Sequence, residues 1–558
     1  MVTHSTQLPL QSHVNLVPVR VIVHDARGNV VTDLKESDFQ IKQDGRLQVI
    51  SHFSVETPAS LDSQVARGTA ADKSPDASSY AFGDANTEAA NGAAGKLTLP
   101  TRFVALVVDD AHLGIPDMIR VRLAGIRYLN NFVKPNERVA LYTVSGQSQV
   151  DFTDDRAAIE AKLKSMIPRP VGAFDPTTQT ICPQITYYQA DLIFNKNDPQ
   201  ALSVALADAQ ACGGGFSANT AQLTVTSTVQ EVLAAGNLST EYSIRRLDEI
   251  VKRISAMPGQ RSMVLISPGF LTSTYEYDLS QVIDRATRQN VFINTLDGRG
   301  LYTVDPLGDI TQDPPVRANG ATSALGDQYR VLEQNAQSDV LSNLSNSTGG
   351  FYFRNNNDLD AGLRQIASEP AVSYLLAFVP FNLKNDGSFH TIGVKILSKE
   401  EKYSVQSRKG FFAPKKGKSP EDLVKQDIED AVFSQEEQQG LPVQLHLQYF
   451  KVDDANAKLS VLAHVDITQV RFEQNEGRNF DDLTIVAALF DRNGNFIGAE
   501  EKTLEMRLKD ATRERLDKSG VTLKTNFDVK PGGYLVRLVV RDSKAGALAS
   551  RNGVVEIP

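Results

Sequence analysis

Phe103–Val108 is a continuous apolar run of six residues, and the pattern after it alternates between strand and helix for more than two hundred residues. A run of this kind suits a strand covered on both faces, and strands separated by amphipathic helices mean βαβ units and a mostly parallel sheet. Pro116 opens a helix whose Ile119, Leu123, Ile126, Leu129 and Val133 are expected to form its buried stripe. Strands then follow at Val139–Val144, near Val150, at Met263–Ile266, Val291–Leu296 and Phe351–Phe353. Helices are read from Asp154, across Ile244, Leu247, Val251 and Ile254, at 279–289, at 327–346 and after Asp358, with Gly349-Gly350 as a C-terminal cap.

The flanks read differently. Val17, Val19, Val21 and Val23 alternate with polar residues as in a half-buried strand, and Asp44-Gly45 between Ile41 and Leu47 predicts a hairpin. The expected organisation is therefore a small β-domain over 13–56, a linker over 57–98 rich in small polar residues, and an α/β domain over 99–370 with insertions at 168–238 and 298–325. A β-extension over 371–414 and a linker helix within 415–440, opened by Ser419-Pro420, come next. Residues 441–558 carry short strands and turns (Asp491–Asn495, Pro531-Gly532-Gly533) at the spacing of a β-sandwich of immunoglobulin or fibronectin type III kind. The fold class is α/β, doubly wound and mostly parallel, with β-domains on either side.

Composition limits what such a chain can bind. Its 558 residues carry 58 Lys+Arg against 67 Asp+Glu, net −9, which argues against general nucleic-acid binding and a polybasic membrane anchor. No apolar run reaches the ~20 residues of a transmembrane helix. Met1–Thr6 is polar, so no signal peptide is read there. No Gly-x-Ser-x-Gly elbow occurs, the 8 His are scattered, and Gly95-Lys96 fails as a phosphate loop because Ala90 and Leu97 stand at its other positions. Asp25–Asn29 and Asp491–Asn495 lack the closing glutamate of a calcium loop and read as turns.

The central region resembles the von Willebrand factor A (VWA) domain, and the wider chain resembles VWFA-related domain proteins of acidobacterial type. The resemblance rests on Asn15–Val23 with Asp25–Asn29, Ser37-Asp38-Phe39, Gln43-Asp44-Gly45, Val107-Val108-Asp109-Asp110, Ser347-Thr348-Gly349-Gly350, Tyr374–Pro380 and Arg408–Pro414. It implies a metal-ion-dependent adhesion site, in which oxygen ligands hold Mg²⁺ and leave one position for a partner's carboxylate. Asp109 and Thr153 match two ligand positions, but Ala111, Leu113 and Pro268 replace the other three. The site is thus expected to be degenerate, with Asp109 and Thr153 as its candidate metal ligands and Asp110 or His112 as candidate substitutes, although position 110 would tend to point away from the cleft. The alternative is that Asp109 and Asp110 cap the helix near Pro116 and bind loop backbone.

The functional expectation is a non-enzymatic, exported protein that binds a protein ligand in adhesion or assembly, or associates with itself. Asp109, Asp110, His112, Thr153 and Ser267 would line the partner site. Competing expectations are a structural self-assembling envelope protein and a metal-dependent hydrolase using Asp109, Asp110 and His112. Cys182 and Cys212, 30 residues apart in one insertion, are expected to pair in a disulfide, which requires an oxidising compartment, the alternative being two free buried thiols. The resemblance points the same way, and export would imply a leader already removed.

Overall fold

A computed structural model describes residues 17–25, 31–56, 100, 102–170, 183–211, 217–257, 260–301, 321–367, 373–381, 384, 386–397, 403–413, 419–433, 437–475 and 477–558. These fall into two compact units, one of 1–57, 346–350 and 370–417, the other of the remainder.

The first unit joins segments that local pattern separates. Strands β1 (Val17–His24), β2 (Phe39–Gln43), β3 (Arg46–Gln48) and β4 (Ile50–Glu56) meet β11 (Ser373–Phe378), β12 (Phe389–Ile396), β13 (Ser404–Ser407) and β14 (Gly410–Phe412) in two antiparallel sheets, ordered β13-β1-β11-β4 and β14-β12-β2-β3. The N-terminal β-domain and the β-extension are therefore not separate modules. Val17 pairs with Phe378 and Ile41 with Val394, and neither half could bury its apolar face without the other. Val19, Val21, Ile41, Leu376 and Phe378 form the core, with Tyr374 packed against Phe39 and Phe53. The Asp44-Gly45 hairpin forms as expected, with φ of 49° and 79°.

The second unit contains a six-stranded sheet, β10-β9-β8-β5-β6-β7, formed by β5 (Arg102–Val108), β6 (Glu137–Thr143), β7 (Gln149–Thr153), β8 (Gln260–Ser267), β9 (Val291–Asp297) and β10 (Tyr352–Phe353). All pairings are parallel except β6–β7. Val104, Leu106 and Val108 face helices α1 (Ile115–Asn131), α2 (Arg156–Ser165) and α8 (Leu359–Ala367). The buried stripe of α1 differs from the expected one. Met118, Val121, Ala124, Tyr128 and Leu129 point inward, while Ile119 and Leu123 are 49% and 51% exposed. Two apolar stripes compete on this helix, and the one containing Ala124 and Gly125 wins because small residues let the helix approach Leu163 of α2.

The 168–238 insertion is mostly helical where described: α3 (Tyr187–Phe194), α4 (Pro199–Ala211) and the first half of the 38-residue α5 (Ala218–Ser255). Ala205, Ala209, Ala221, Val225 and Val229 give it a core of small side chains. Helix α6 (Glu276–Arg288) follows β8, and α7 (Ala321–Thr348) ends at Gly349 with φ of 81°. The expected Cys182–Cys212 disulfide is not supported, since both cysteines lie outside the described residues.

After α9 (Pro420–Phe433), two antiparallel sheets make a sandwich: β15 (Val443–Lys451), β16 (Ala457–Val465) and β20 (Val521–Val529) in one; β17 (Glu473–Asn475), β18 (Arg478–Asp491), β19 (Phe496–Leu508), β21 (Gly532–Asp542) and β22 (Leu548–Ile557) in the other. Helix α10 (Asp510–Ser519) connects β19 to β20. In the β18–β19 turn, Asp491 accepts from the amides of Asn493 and Asn495, the work of a hairpin turn rather than of a calcium loop.

One buried acid in this sandwich costs stability. Asp481 is 1% exposed and neither carboxylate oxygen has a full hydrogen bond, the amides of Asp482 and Lys544 being its nearest relief. Burial, then the neighbouring Asp542 carboxylate, pushes its pKa up to about 6. A carboxyl raised this way favours folding only while protonated, so stability is lost as pH rises from the unfolded value of 3.8 through about 6. Asp481→Asn is expected to stabilise the chain by about 2–3 kcal/mol at neutral pH and by little near pH ~4. Urea unfolding at the two pH values checks this.

Candidate functional site

The C-terminal ends of β5, β6, β8 and β9 form the mouth of the parallel sheet, the usual ligand position in such folds. Asp109 and Asp110 follow β5 directly and are 0% and 1% exposed. Asp109 is held from three sides. The His112 amide donates to Oδ1 at 3.2 Å, the Ser267 hydroxyl donates to Oδ2 at 2.6 Å, and His112 Nδ1 lies 2.9 and 3.0 Å from the two oxygens. A carboxylate only accepts, so Nδ1 carries the hydrogen. The other ring nitrogen, Nε2, lies 3.1 Å from Ser239 Oγ on α5, and the ring stacks on Phe270 at 5.7 Å. Burial works to lower the His112 pKa, but the charge and hydrogen bond of Asp109 outweigh it and hold the ring above its ordinary value.

Asp110 turns toward β6 and accepts from the Ser145 amide at 2.8 Å and hydroxyl at 2.5 Å. Burial still raises its pKa. At the end of β9, Asp297 takes a two-pronged contact from Arg299 at 2.9 and 2.8 Å, and Arg299 also reaches Ser338 of α7. Ser267-Pro268-Gly269 brings α7 close: a Cβ on Gly269, whose φ is 88°, would lie 2.1 Å from the Gln337 carbonyl. Over these groups lies α5, whose Tyr242 hydroxyl donates to Ser145 O, Thr240 to Leu271 O and Arg246 to Thr143 O.

Of the expected site residues, Asp109, His112 and Ser267 form one network, Asp110 sits beside it, and Thr153 does not belong to it. Thr153 pairs with Val139, whereas the mouth end of β6 is Thr143, opposite Val108. Four residues of strand separate them, about 13 Å. An Mg²⁺ ion holds its ligands at about 2.1 Å, so Asp109 and Thr153 cannot share one. Ala111 and Leu113 offer no side-chain oxygen, and the oxygens of Asp109 are already engaged. The residues present do not fit the metal. Nor do Asp109 and Asp110 cap α1, whose N-cap is Gly114 without a side-chain bond.

The order Asp109–His112–Ser239 matches an orienting acid, base and nucleophile in hydrogen-bond reach. Ser239 nevertheless lies in the interior of α5, where backbone amides are consumed by the helix and offer no oxyanion donors. Sequence reasoning missed Ser239, Ser145, Phe270, Asp297 and Arg299. Asp297 alone had a signal, as an acid ending a buried strand.

A second titratable group lies where α7 meets the 168–238 insertion. Glu333 of α7 keeps some exposure as a residue, but its carboxyl end is enclosed and accepts from the Tyr188 amide at the start of α3 at 3.5 Å. Burial pushes its pKa up to about 7 against the help of Thr186 and that amide. Its stabilising protonated form is lost as pH rises from 4.5 to about 7. Glu333→Gln is expected to flatten the fall in stability across this window by about 1–2 kcal/mol, read by thermal unfolding along a pH series.

No family model matches the chain, and no curated protein matches it. Among solved structures it is similar to an aerotolerance-related membrane protein from Bacteroides fragilis with multiple mutations to serines, at 12% identity and a TM-score of 0.22, over 48% of this chain and 99% of that one. It is similar to the conserved hypothetical protein BatB from Bacteroides thetaiotaomicron at 13% identity and 0.21, over 48% and 96%. A β-glucuronidase from Bacteroides uniformis matches at 12% and 0.16, over 33% and 19%. Likenesses at these scores assign neither a family nor a function. Among the described residues no helix is long and apolar enough to cross a membrane.

Proposed function

We propose that the chain is a protein-binding module of adhesion or assembly type, built on a VWA-like α/β domain and using its outer surface rather than a metal. The observation that carries this reading is an outward apolar ridge on α1. Ile115, Ile119 and Leu123 recur every four residues at 68%, 49% and 51% exposure, and Ile167 beyond α2 is 52% exposed. Three consecutive turns of uncovered Ile and Leu are costly in water and are the kind of surface that a partner covers. The acids of the mouth, by contrast, are bound within the chain, which weakens the metal-dependent hydrolase reading. Self-assembly through strand edges is disfavoured at β19, whose Glu500, Glu501, Lys502 and Glu505 are exposed along a strand paired with β18.

The test compares the chain with its Ile119→Asp/Leu123→Asp variant as bait in envelope and secreted fractions, with sedimentation velocity for self-association. Binding or association lost in the variant, with the unfolding midpoint kept, supports the reading. Recovery of the same species by both chains contradicts it.

A further inference from the structure

We infer that the His112 ring stands where the resemblance places a divalent cation, so that the chain's own helix α5 completes the mouth in place of a metal-bridged partner. A cation at such a site has two tasks: to satisfy a buried carboxylate, and to bridge it to an oxygen arriving from outside the loop. The ring does both. Nδ1 faces both oxygens of Asp109 at 2.9 and 3.0 Å, and Nε2 faces the Ser239 hydroxyl at 3.1 Å.

The surroundings fix the ring for this role. Phe270 stacks on it with an interplanar angle of 21°. The Ser267 hydroxyl, itself held by the Gly269 amide at 2.8 Å, takes the remaining side of Asp109. Ala111 and Leu113 remove the hydroxyls that a cation would need and are 9% and 3% exposed. Ser239 is not an isolated contact, because Thr240, Tyr242 and Arg246 on the following turns bond the carbonyls of Leu271, Ser145 and Thr143. One stretch of α5 thus spans loops after β6 and β8, while Ser239 reaches the loop after β5. The inference stands apart from the protein-binding reading, and its readouts are metal response and stability, not partner capture.

The experiment uses the full chain. Thermal unfolding of the wild type is followed in EDTA and in millimolar Mg²⁺ or Mn²⁺, and unfolding of His112→Gly with and without added imidazole. The wild-type midpoint is expected to be indifferent to either metal. The midpoint of His112→Gly is expected to fall by roughly 3–6 °C and to recover at least in part when imidazole fills the vacated space. His112→Gln, which keeps an N–H toward Asp109, is expected to lie between the two, and serves if the glycine variant does not fold. Three results would overturn the inference. One is a wild-type midpoint raised by metal and no longer raised in Asp109→Asn. The others are a His112→Gly chain that melts with the wild type, and a loss that imidazole does not restore.

Discussion

Asp109→Ala is expected to cost about 3–5 kcal/mol of unfolding free energy, because it leaves several donors around a buried carboxylate without their shared acceptor. The substitution strips the His112 ring, the His112 amide and the Ser267 hydroxyl of a common acceptor. The Ser267 hydroxyl cannot turn to bulk water, being 0% exposed, and the His112 ring, although partly exposed, is pinned between Phe270 and Ser239. A large share of the loss should appear as loosening of α5, whose Ser239 contact runs through the ring. Chemical denaturation gives the total, and amide exchange along α5 shows where it falls. An Asp109 left over from a lost metal site, with nothing depending on it, would cost less than about 1 kcal/mol.

Arg537→Ala should be comparably severe, again about 3–5 kcal/mol, for a different reason. Arg537 is 1% exposed in the middle of β21. Nε donates to Ala431 O at 3.0 Å, Nη1 to Asn552 at 2.8 Å and Nη2 to Ser550 at 2.9 Å. Ala431 lies in the last turn of α9, the negative end of the helix, where a cation is favoured. Arg261 from β8 holds the same end through the Phe433 carbonyl, also bonding Met257 O and Gln289 O, and burial pushes its pKa down to about 10. Two arginines, one from the parallel sheet and one from the sandwich, therefore grip one helix terminus. Arg537→Met, which restores volume without the donors, should recover only the cavity part of the loss. Combining Arg261→Ala with Arg537→Ala should cost less than the sum, since either change already frees the α9 terminus. Denaturation of the four chains measures the coupling.

Much of the parallel sheet could be read from the chain because the information is local. Phe103–Val108 must be buried on both faces to be soluble at all, and the Asp44-Gly45 turn is dictated by two positive φ angles. The β-sandwich of the first unit was not legible in the same way. Val19 pairs with Leu376, and no local pattern records a partner more than 350 residues away. The face of α1 was misjudged because periodicity allows two stripes, and packing against Leu163 decides between them. Helix α5 was read only from Ile244 onward, since its first half uses Ala, Val and Thr in place of large apolar residues. The mouth shows the same division. Asp109 was identifiable as an acid at the end of a strand, but Ser239, which gives His112 its second contact, lies 127 residues from it. Thr153 matches a ligand position in the linear sequence, but the antiparallel return of β7 carries it away from the mouth.

The central claim is that Asp109, His112 and Ser239 close the mouth of the parallel sheet from within. The most direct measurement is the NMR spectrum of the histidine rings in the full chain labelled with ¹⁵N-histidine, with His112→Gln for assignment. The account predicts a His112 Nδ1–H resonance far downfield, slow to exchange with solvent and lost in Asp109→Asn. A His112 ring with the shifts and rapid exchange of a free imidazole would contradict it.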